Sequence, residues 1–171
     1  MSSATAAVEK CEPRGKLLLL GDSSALEKAL PEDVGIPLQP NTVARTPGLG
    51  ICLCLSPTQR LLLLAIDREA RFAAARIRAM SAPDAWALDA GARYVEFAMA
   101  GRDGALALNA GCSLDLREAA FPVDTCARTR FDQVPILLFR PSVERFEIFV
   151  ERPLAHHLWL WLCRAVNDVR E

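Results

Sequence analysis

The side chains that most often carry out chemistry are few and widely spaced in this 171-residue chain. The only two histidines, His156 and His157, are adjacent in a segment that is predicted to be helical. Their side chains would point about 100° apart, so they cannot ligate one metal in the i, i+4 manner. A nucleophilic serine or cysteine would need one of them as its base. We interpret both histidines as residues that flank the buried face of a helix.

Six cysteines provide thiols, but no pair has the C-x-x-C spacing of a zinc or redox site. Cys52 and Cys54 lie on one face of a strand and could approach a metal or each other, although two residues of one strand are poorly placed for a disulfide. Burial as small apolar side chains explains them better. Cys112 follows a helix C-terminus, where the helix dipole disfavours a thiolate. We therefore predict that it is not a nucleophile.

The sequence predicts neither a nucleotide site nor an acid–base site. The turns at Gly21 and Gly101 lack the glycine pattern of a dinucleotide-binding loop. Asp89 and Asp115 lie within apolar runs, and we expect each to accept backbone hydrogen bonds in a turn, with acid–base chemistry as the alternative. No catalytic, cofactor-binding or metal-binding residue is predicted.

Residues 111–122, GCSLDLREAAFP, are predicted to form an ordered crossing between a helix and a sheet, and are called the crossing segment below. Gly111 can adopt a positive φ just past a helix end. Apolar residues around Asp115 would anchor the segment to a core. The residues expected here to determine the fold or an interface are Cys112, Leu114, Asp115 and Phe121.

Three further residues are candidates for the same role. Arg93 precedes the strongest predicted strand and Arg128 lies in a later one, where each faces a carboxylate, a partner chain or solvent. Trp159 and Trp161 are two apart on a helix, so they cannot both face one core. We expect Trp159 to point away from the core, either as an interface anchor or packed beneath the N-terminal connector.

The composition bounds the class of protein. With 20 Lys and Arg against 21 Asp and Glu, the net charge of −1 provides no electrostatic footprint of a nucleic-acid binder. Half of the residues are hydrophobic, which allows a sizeable core and predicts a surface covered by a partner. The first residues lack a secretory signal, and the apolar runs at 17–20 and 61–66 are too short to span a membrane. We therefore expect a cytoplasmic chain with no membrane contact.

The apolar periodicity predicts an α+β fold of small mixed or antiparallel sheets with packed helices. Residues 1–15 are expected to be disordered, and 32–50 to be an irregular connector. Residues 16–171 would form a single domain, or two subdomains at 16–90 and 91–171. Strands are predicted at 16–20, 51–55, 60–66, 94–100, 125–131, 134–139 and 146–150, and helices at 22–30, 67–80, 103–110 and 153–169.

From about residue 89 to 169 the chain resembles the gamma subunit of heterotetrameric sarcosine oxidase. The matching residues, in order, are Gly101 and Asp103, Gly111-Cys112, Leu114-Asp115-Leu116, Ala120-Phe121-Pro122, Cys126-Ala127 with Thr129, 134–138, Phe146, Leu158-Trp159 and Trp161-Leu162. At 89–93 the chain departs from the family, since it lacks the serine and histidine that are common there. The resemblance thus leaves open sarcosine or a related N-methyl amine or amino acid as the substrate of the complex.

The resemblance implies an aminomethyltransferase-like, folate-binding type of fold and a subunit that holds no cofactor of its own. It implies larger partner subunits that carry FAD, FMN, NAD and the tetrahydrofolate site, and a small partner subunit that carries zinc. Such a complex demethylates sarcosine to glycine, passing the methyl carbon to tetrahydrofolate and electrons to oxygen. A stand-alone folate-binding protein of the same fold is the alternative.

Overall fold

The computed structural model describes residues 6–32, 34–65, 77 and 82–170. It divides into two compact units, Pro13–Ala92 and Met1–Glu12 together with Arg93–Glu171, called the N-terminal and C-terminal units. The strands are β1 Ala7–Lys10, β2 Lys16–Leu20, β3 Val43–Thr46, β4 Gly50–Ser56, β5 Gln59–Leu64, β6 Trp86–Asp89, β7 Tyr94–Ala100, β8 Thr125–Phe131, β9 Val134–Ser142 and β10 Arg145–Glu151. The helices are α1 Ser23–Ala29, α2 Gly104–Asn109 and α3 Ala155–Arg170, the last preceded by a 3-10 turn at Arg152–Leu154. The predicted α+β fold is confirmed.

The N-terminal unit contains a sheet in the order β3-β4-β5-β2-β6 with every pairing antiparallel. The predicted hairpin at 51–66 is present as β4 and β5, and Asp22 caps α1 by accepting a hydrogen bond from the Ala25 amide at 2.8 Å. Strand β3 lies within the connector that was expected to be irregular. The predicted helix at 67–80 lies outside the described residues, apart from the buried Ile77.

A fully buried arginine organises the loops of the N-terminal unit. Arg60 lies on β5 at the same inward parity as Leu62 and Leu64. Its guanidinium donates to the carbonyl oxygens of Pro37, Gly21 and Pro57 at 3.3, 3.1 and 2.8 Å, and to Ser23 Oγ at 2.6 Å. One side chain thereby ties the hairpin turn and the connector to the start of α1.

The C-terminal unit contains an antiparallel sheet in the order β1-β7-β10-β9-β8. One face of this sheet supplies Phe97, Leu138 and Ile148 to an apolar core that also includes residues of α2 and α3. Core residues of this kind alternate along each strand, as expected for a sheet with one face against helices. The strands at 94–100, 125–131, 134–139 and 146–150 were predicted at nearly these positions.

The predicted disorder of residues 1–15 is wrong for Ala7–Lys10. These residues form β1, which pairs antiparallel with β7 from Ala7 opposite Ala100 to Lys10 opposite Phe97. Ala6 is buried, and its carbonyl oxygen accepts hydrogen bonds from Arg170 Nη2 at 2.7 Å and Nε at 3.2 Å. The segment has no strand signal of its own because its order comes from a partner strand that is remote in sequence.

The orientation predicted for the two tryptophans of α3 is also wrong. Trp159 packs on the core with its ring centroid 5.3 Å from that of Phe97, whereas Trp161 is 39% exposed. The buried face of α3 includes Ala155 and Val166 as well as the leucines. Those two small residues shift the centre of the buried face towards Trp159 and away from Trp161.

Candidate interaction site around the crossing segment

Gly111, which begins the crossing segment, is needed for a close approach and not for a positive φ. The glycines with positive φ in the described residues are Gly21, Gly48, Gly50 and Gly101, so the backbone role expected for Gly111 is wrong. A Cβ atom on Gly111 would lie 2.7–2.9 Å from three atoms of the buried Phe131 ring. The Gly111 carbonyl oxygen also accepts a hydrogen bond of 2.7 Å from the Asp132 amide. Only glycine lets the end of α2 lie this close to the end of β8.

Three of the residues expected to determine the fold or an interface belong to the core of the C-terminal unit. Cys112 and Phe121 are buried in this core, and Leu114 packs against the core from a half-buried position. The Cys112 amide donates to the Leu108 carbonyl oxygen at 2.9 Å, and its Sγ lies 3.8 Å from Thr129 Oγ1. This environment suits a packing residue better than a nucleophile.

A buried arginine that the sequence analysis did not single out holds the crossing segment. Arg140 on β9 donates from Nη1 to the carbonyl oxygens of Leu116 at 3.2 Å and Phe121 at 2.7 Å. Its Nη2 donates to the Val143 carbonyl oxygen at 2.7 Å, and the guanidinium lies 5.0 Å from the centroid of the Phe146 ring. Arg140 Nε is buried and has no hydrogen-bond partner in the described residues. The guanidinium thus satisfies backbone carbonyls of the crossing segment that are turned away from water.

The alternation of side chains along β9 indicates that Arg140 points inward. Val134, Ile136 and Leu138 all point to the helix-covered face of the sheet, and Arg140 follows in the same alternation on β9. A charged residue at an inward position of an apolar strand indicates a buried guanidinium with specific partners. Arg60 shows the same signal on β5.

Asp115 lies on the exposed side of the crossing segment. Its carboxylate accepts from the Arg117 amide at 3.1 Å and forms a bidentate ion pair with the Arg117 guanidinium. The side-chain and backbone hydrogen bonds from Arg117 lower the pKa of Asp115 from 3.8 to about 2. Asp115 therefore accepts a backbone hydrogen bond within a turn, as expected, and the donor is Arg117, two positions further along the chain.

The remaining candidates lie away from the crossing segment. Arg93 pairs with Glu151 at the ends of β7 and β10, with Nη2 2.6 Å from Oε1, and this hydrogen bond raises the pKa of Arg93. Arg128 is exposed on β8, opposite Leu137 and on the sheet face away from the helices. Trp159 packs on β7, as described above. The structure does not bring Arg93, Arg128 and Trp159 together in one site.

A cleft of about 310 Å³ lies beside the start of the crossing segment. The turn after α2, the end of β8 and the exposed side of α3 form its walls. Its lining residues are Ala110, Gly111, Phe131, Asp132, Trp161, Arg164, Ala165 and Asp168. The sequence analysis missed this cleft because its walls come from three elements that are distant in the sequence.

Among the described residues, no group of three or more His, Cys, Asp or Glu side chains could hold a metal ion. Both histidines are exposed on α3. The thiol of Cys54, on β4, is buried in the N-terminal unit, and this burial raises its pKa. None of the helices within the described ranges is long and apolar enough to cross a membrane.

The chain is similar in sequence to one kind of known protein. No protein-family model matches the chain. The curated sarcosine oxidase subunit gamma from Corynebacterium sp. (strain P-1) is 28% identical over 149 residues, which cover 86% of this chain and 71% of that protein. The resemblance stated from the sequence is therefore confirmed.

Two solved structures share the fold. A chain of the heterotetrameric sarcosine oxidase from Corynebacterium sp. U-96, in complex with pyrrole 2-carboxylate, matches with a TM-score of 0.84 and 21% identity, covering 100% of this chain and 88% of that chain. The glycine cleavage system aminomethyltransferase T from Bartonella henselae matches with a TM-score of 0.63 and 16% identity, covering 93% of this chain and 45% of that chain. The predicted aminomethyltransferase-like fold is confirmed.

Proposed function

We propose that this chain is the gamma-type subunit of a sarcosine oxidase-like complex, and that it contributes to assembly without an active site of its own. The observation that carries the proposal is the 28% identity with a curated sarcosine oxidase subunit gamma along 86% of the chain. The likeness in fold extends over all of the chain. It supports the proposal at the level of architecture.

The positions that carry the resemblance have packing roles in this structure. Gly111 leaves room for the Phe131 ring. Leu116 and Phe121 are buried, and their carbonyl oxygens accept hydrogen bonds from Arg140. Residues of this kind keep the backbone of the segment in one conformation. Partner subunits bind a surface of complementary shape. The geometry of the crossing segment therefore favours a structural contribution to the complex.

The activity of the complex follows from the family. It would oxidatively demethylate sarcosine, or a related N-methyl amine or amino acid, to glycine, with tetrahydrofolate as the one-carbon acceptor and oxygen as the electron acceptor. Larger partner subunits would hold FAD, FMN, NAD and tetrahydrofolate, and a small subunit would hold zinc. The complex would be a cytoplasmic heterotetramer.

Co-expression with the flavoprotein subunits of a sarcosine oxidase-like complex tests the proposal. We expect this chain to elute with the flavoprotein subunits as one stoichiometric species in gel filtration. Flavin absorbance should accompany that species and be absent from the chain purified alone. A lone chain that retains flavin, or a fully assembled and active oxidase that lacks this chain, would refute the proposal.

The alternative of a stand-alone folate-binding protein rests on the fold shared with aminomethyltransferase T. Calorimetric titration of the lone chain with a reduced folate separates the two functions. Micromolar binding, a binding free energy of about −8 kcal/mol, would favour the alternative. Absence of heat under the same conditions, together with co-elution in the complex, would favour the subunit.

A further inference from the structure

The cleft beside Gly111 combines a solvent-exposed tryptophan with unpaired carboxylates. Trp161 is 39% exposed although it belongs to a helix whose other face is buried. Two side chains of the same helix pack against its ring. The His157 ring lies edge-on at 6.5 Å between centroids, and the Arg164 guanidinium lies 5.7 Å from the Trp161 centroid. An aromatic side chain that is already held in place loses little conformational entropy when a partner binds.

The charges around the ring determine what could enter. Asp132 and Asp168 line the cleft together with one cation, Arg164. Neither carboxylate forms an ion pair with any described residue. The backbone of Asp132 is fixed at a φ of 52° by the hairpin turn, with its amide bound to the Gly111 carbonyl oxygen. The cleft therefore carries an excess of one negative charge beside an aromatic face.

An arginine side chain fits these features better than the other kinds of side chain. A carboxylate would meet two like charges, and an apolar side chain would cover two carboxylates without pairing them, which is costly. A guanidinium can pair with carboxylates in a planar, bidentate way and stack on an indole ring. The volume of about 310 Å³ exceeds that of several water molecules. There is therefore room for a side chain.

We propose that this cleft is a docking site for an arginine side chain of a partner subunit, with Trp161 as the aromatic wall and Asp132 and Asp168 as the charge partners. The proposal rests on the proposed function, because it assigns the arginine to a subunit of the same complex. It makes Trp161 the interface anchor of α3, in place of Trp159.

Binding to the full chain can be measured with Nα-acetyl-argininamide as the probe. In ¹⁵N NMR spectra the Trp161 indole N–H, assigned by its loss in Trp161→Phe, should shift and saturate at roughly millimolar probe, about 4 kcal/mol of binding free energy. The neutral citrulline analogue should not shift the Trp161 signal. The arginine probe should also fail to shift it in the double variant Asp132→Asn with Asp168→Asn. If the arginine probe fails to shift this signal in the wild-type chain, the inference is wrong.

Assembly of the complex provides the second measurement. We expect the doubly substituted chain and Trp161→Ala to weaken binding to the co-expressed partner subunits by about 10- to 100-fold, or 1.4–2.8 kcal/mol. The double substitution should also reduce the salt dependence of binding. The matched controls are Glu144→Gln, an exposed carboxylate in the turn between β9 and β10, and Leu160→Ala, a 55% exposed apolar residue of α3. Neither residue lines the cleft. Both controls should stay within twofold of wild type.

The two measurements separate the inference from the proposed function. If the complex forms and the substituted chains bind as well as wild type, the docking site is refuted while the subunit function stands. If the wild-type chain forms no complex, the subunit function is refuted, and with it the assignment of the arginine to a partner subunit. Weakening of the controls to the same degree would also overturn the inference.

Discussion

Replacing Arg140 with methionine is expected to loosen the crossing segment while leaving the rest of the sheet in place. The substitution removes three hydrogen bonds to backbone carbonyls, two of which, at Leu116 and Phe121, are buried. Methionine keeps most of the apolar stem of the side chain and removes the guanidinium that lies 5.0 Å from the centroid of the Phe146 ring. The change therefore isolates the role of the guanidinium.

The size of the effect follows from the two buried carbonyls. Each buried acceptor left without a donor costs about 1–3 kcal/mol, which gives about 2–6 kcal/mol for the pair. Methionine also removes the cost of burying a guanidinium, and this offsets part of the loss. We expect a net decrease of about 2–4 kcal/mol in the free energy of unfolding, or roughly 5–15 °C in Tm for a chain of this length.

Urea unfolding combined with hydrogen exchange checks this expectation. Because the chain has two units, exchange of the Cys112 and Phe121 amides, which donate to Leu108 and Arg117, reports on the crossing segment itself. Arg130→Met, on the exposed side of β8, is the control and should change stability by less than about 0.5 kcal/mol. Arg140→Met with the stability and exchange rates of wild type would show that water replaces the guanidinium and that Arg140 does not hold the segment.

Three further expectations concern single residues. Gly111→Ala should destabilise the C-terminal unit by about 1–3 kcal/mol in thermal unfolding, because the new Cβ meets the Phe131 ring. The double variant Gly111→Ala with Phe131→Leu should recover part of the lost stability. Equal stability of Gly111→Ala and wild type would contradict the close contact. The Asp115 carboxyl should titrate near pH 2 by NMR, and its pKa should move towards 3.8 in Arg117→Gln; an unchanged titration in that variant would refute the pairing. Since the pKa of Asp115 is lowered in the folded chain, its small contribution to stability is present above about pH 4 and disappears as the pH falls towards 2. Arg60→Met should destabilise the N-terminal unit by about 2–4 kcal/mol and speed exchange of the Gly21 amide, which donates to Thr58 in the hairpin turn that Arg60 holds. The control Lys28→Met, on the exposed side of α1, should have little effect.

Much of the fold could be predicted because apolar alternation survives without tertiary context. The strand β7 and the hairpin of β4 and β5 follow from that pattern, since each has a buried face and flanking turn residues. β1 and β3 could not be found in this way. Each is a four-residue strand at the edge of a sheet, and its hydrogen bonds come from a neighbour that local sequence does not reveal.

The candidate site was predicted only in part, for reasons that lie in single residues. Leu114, Leu116 and Phe121 were identified because apolar anchors in a short segment indicate burial. Arg140 was not predicted, because arginine is usually exposed and only its inward position in the alternation of β9 indicates burial. The orientations of Trp159 and Trp161 were predicted wrongly because leucines dominate the apolar pattern of α3. The buried Ala155 and Val166 place the centre of its buried face nearer to Trp159.

The pairing of β1 with β7 has a consequence for the order of folding during synthesis. Residues 7–10 leave the ribosome before their partner, Tyr94–Ala100, which follows only after the whole N-terminal unit has been made. Loop closure over such a distance is slow compared with local pairing, so the earliest strand should be among the last to join its sheet. Until then β7 has an open edge that can pair wrongly. A fusion at the N-terminus that delays this step should therefore lower the yield of folded protein more than the same fusion at the C-terminus.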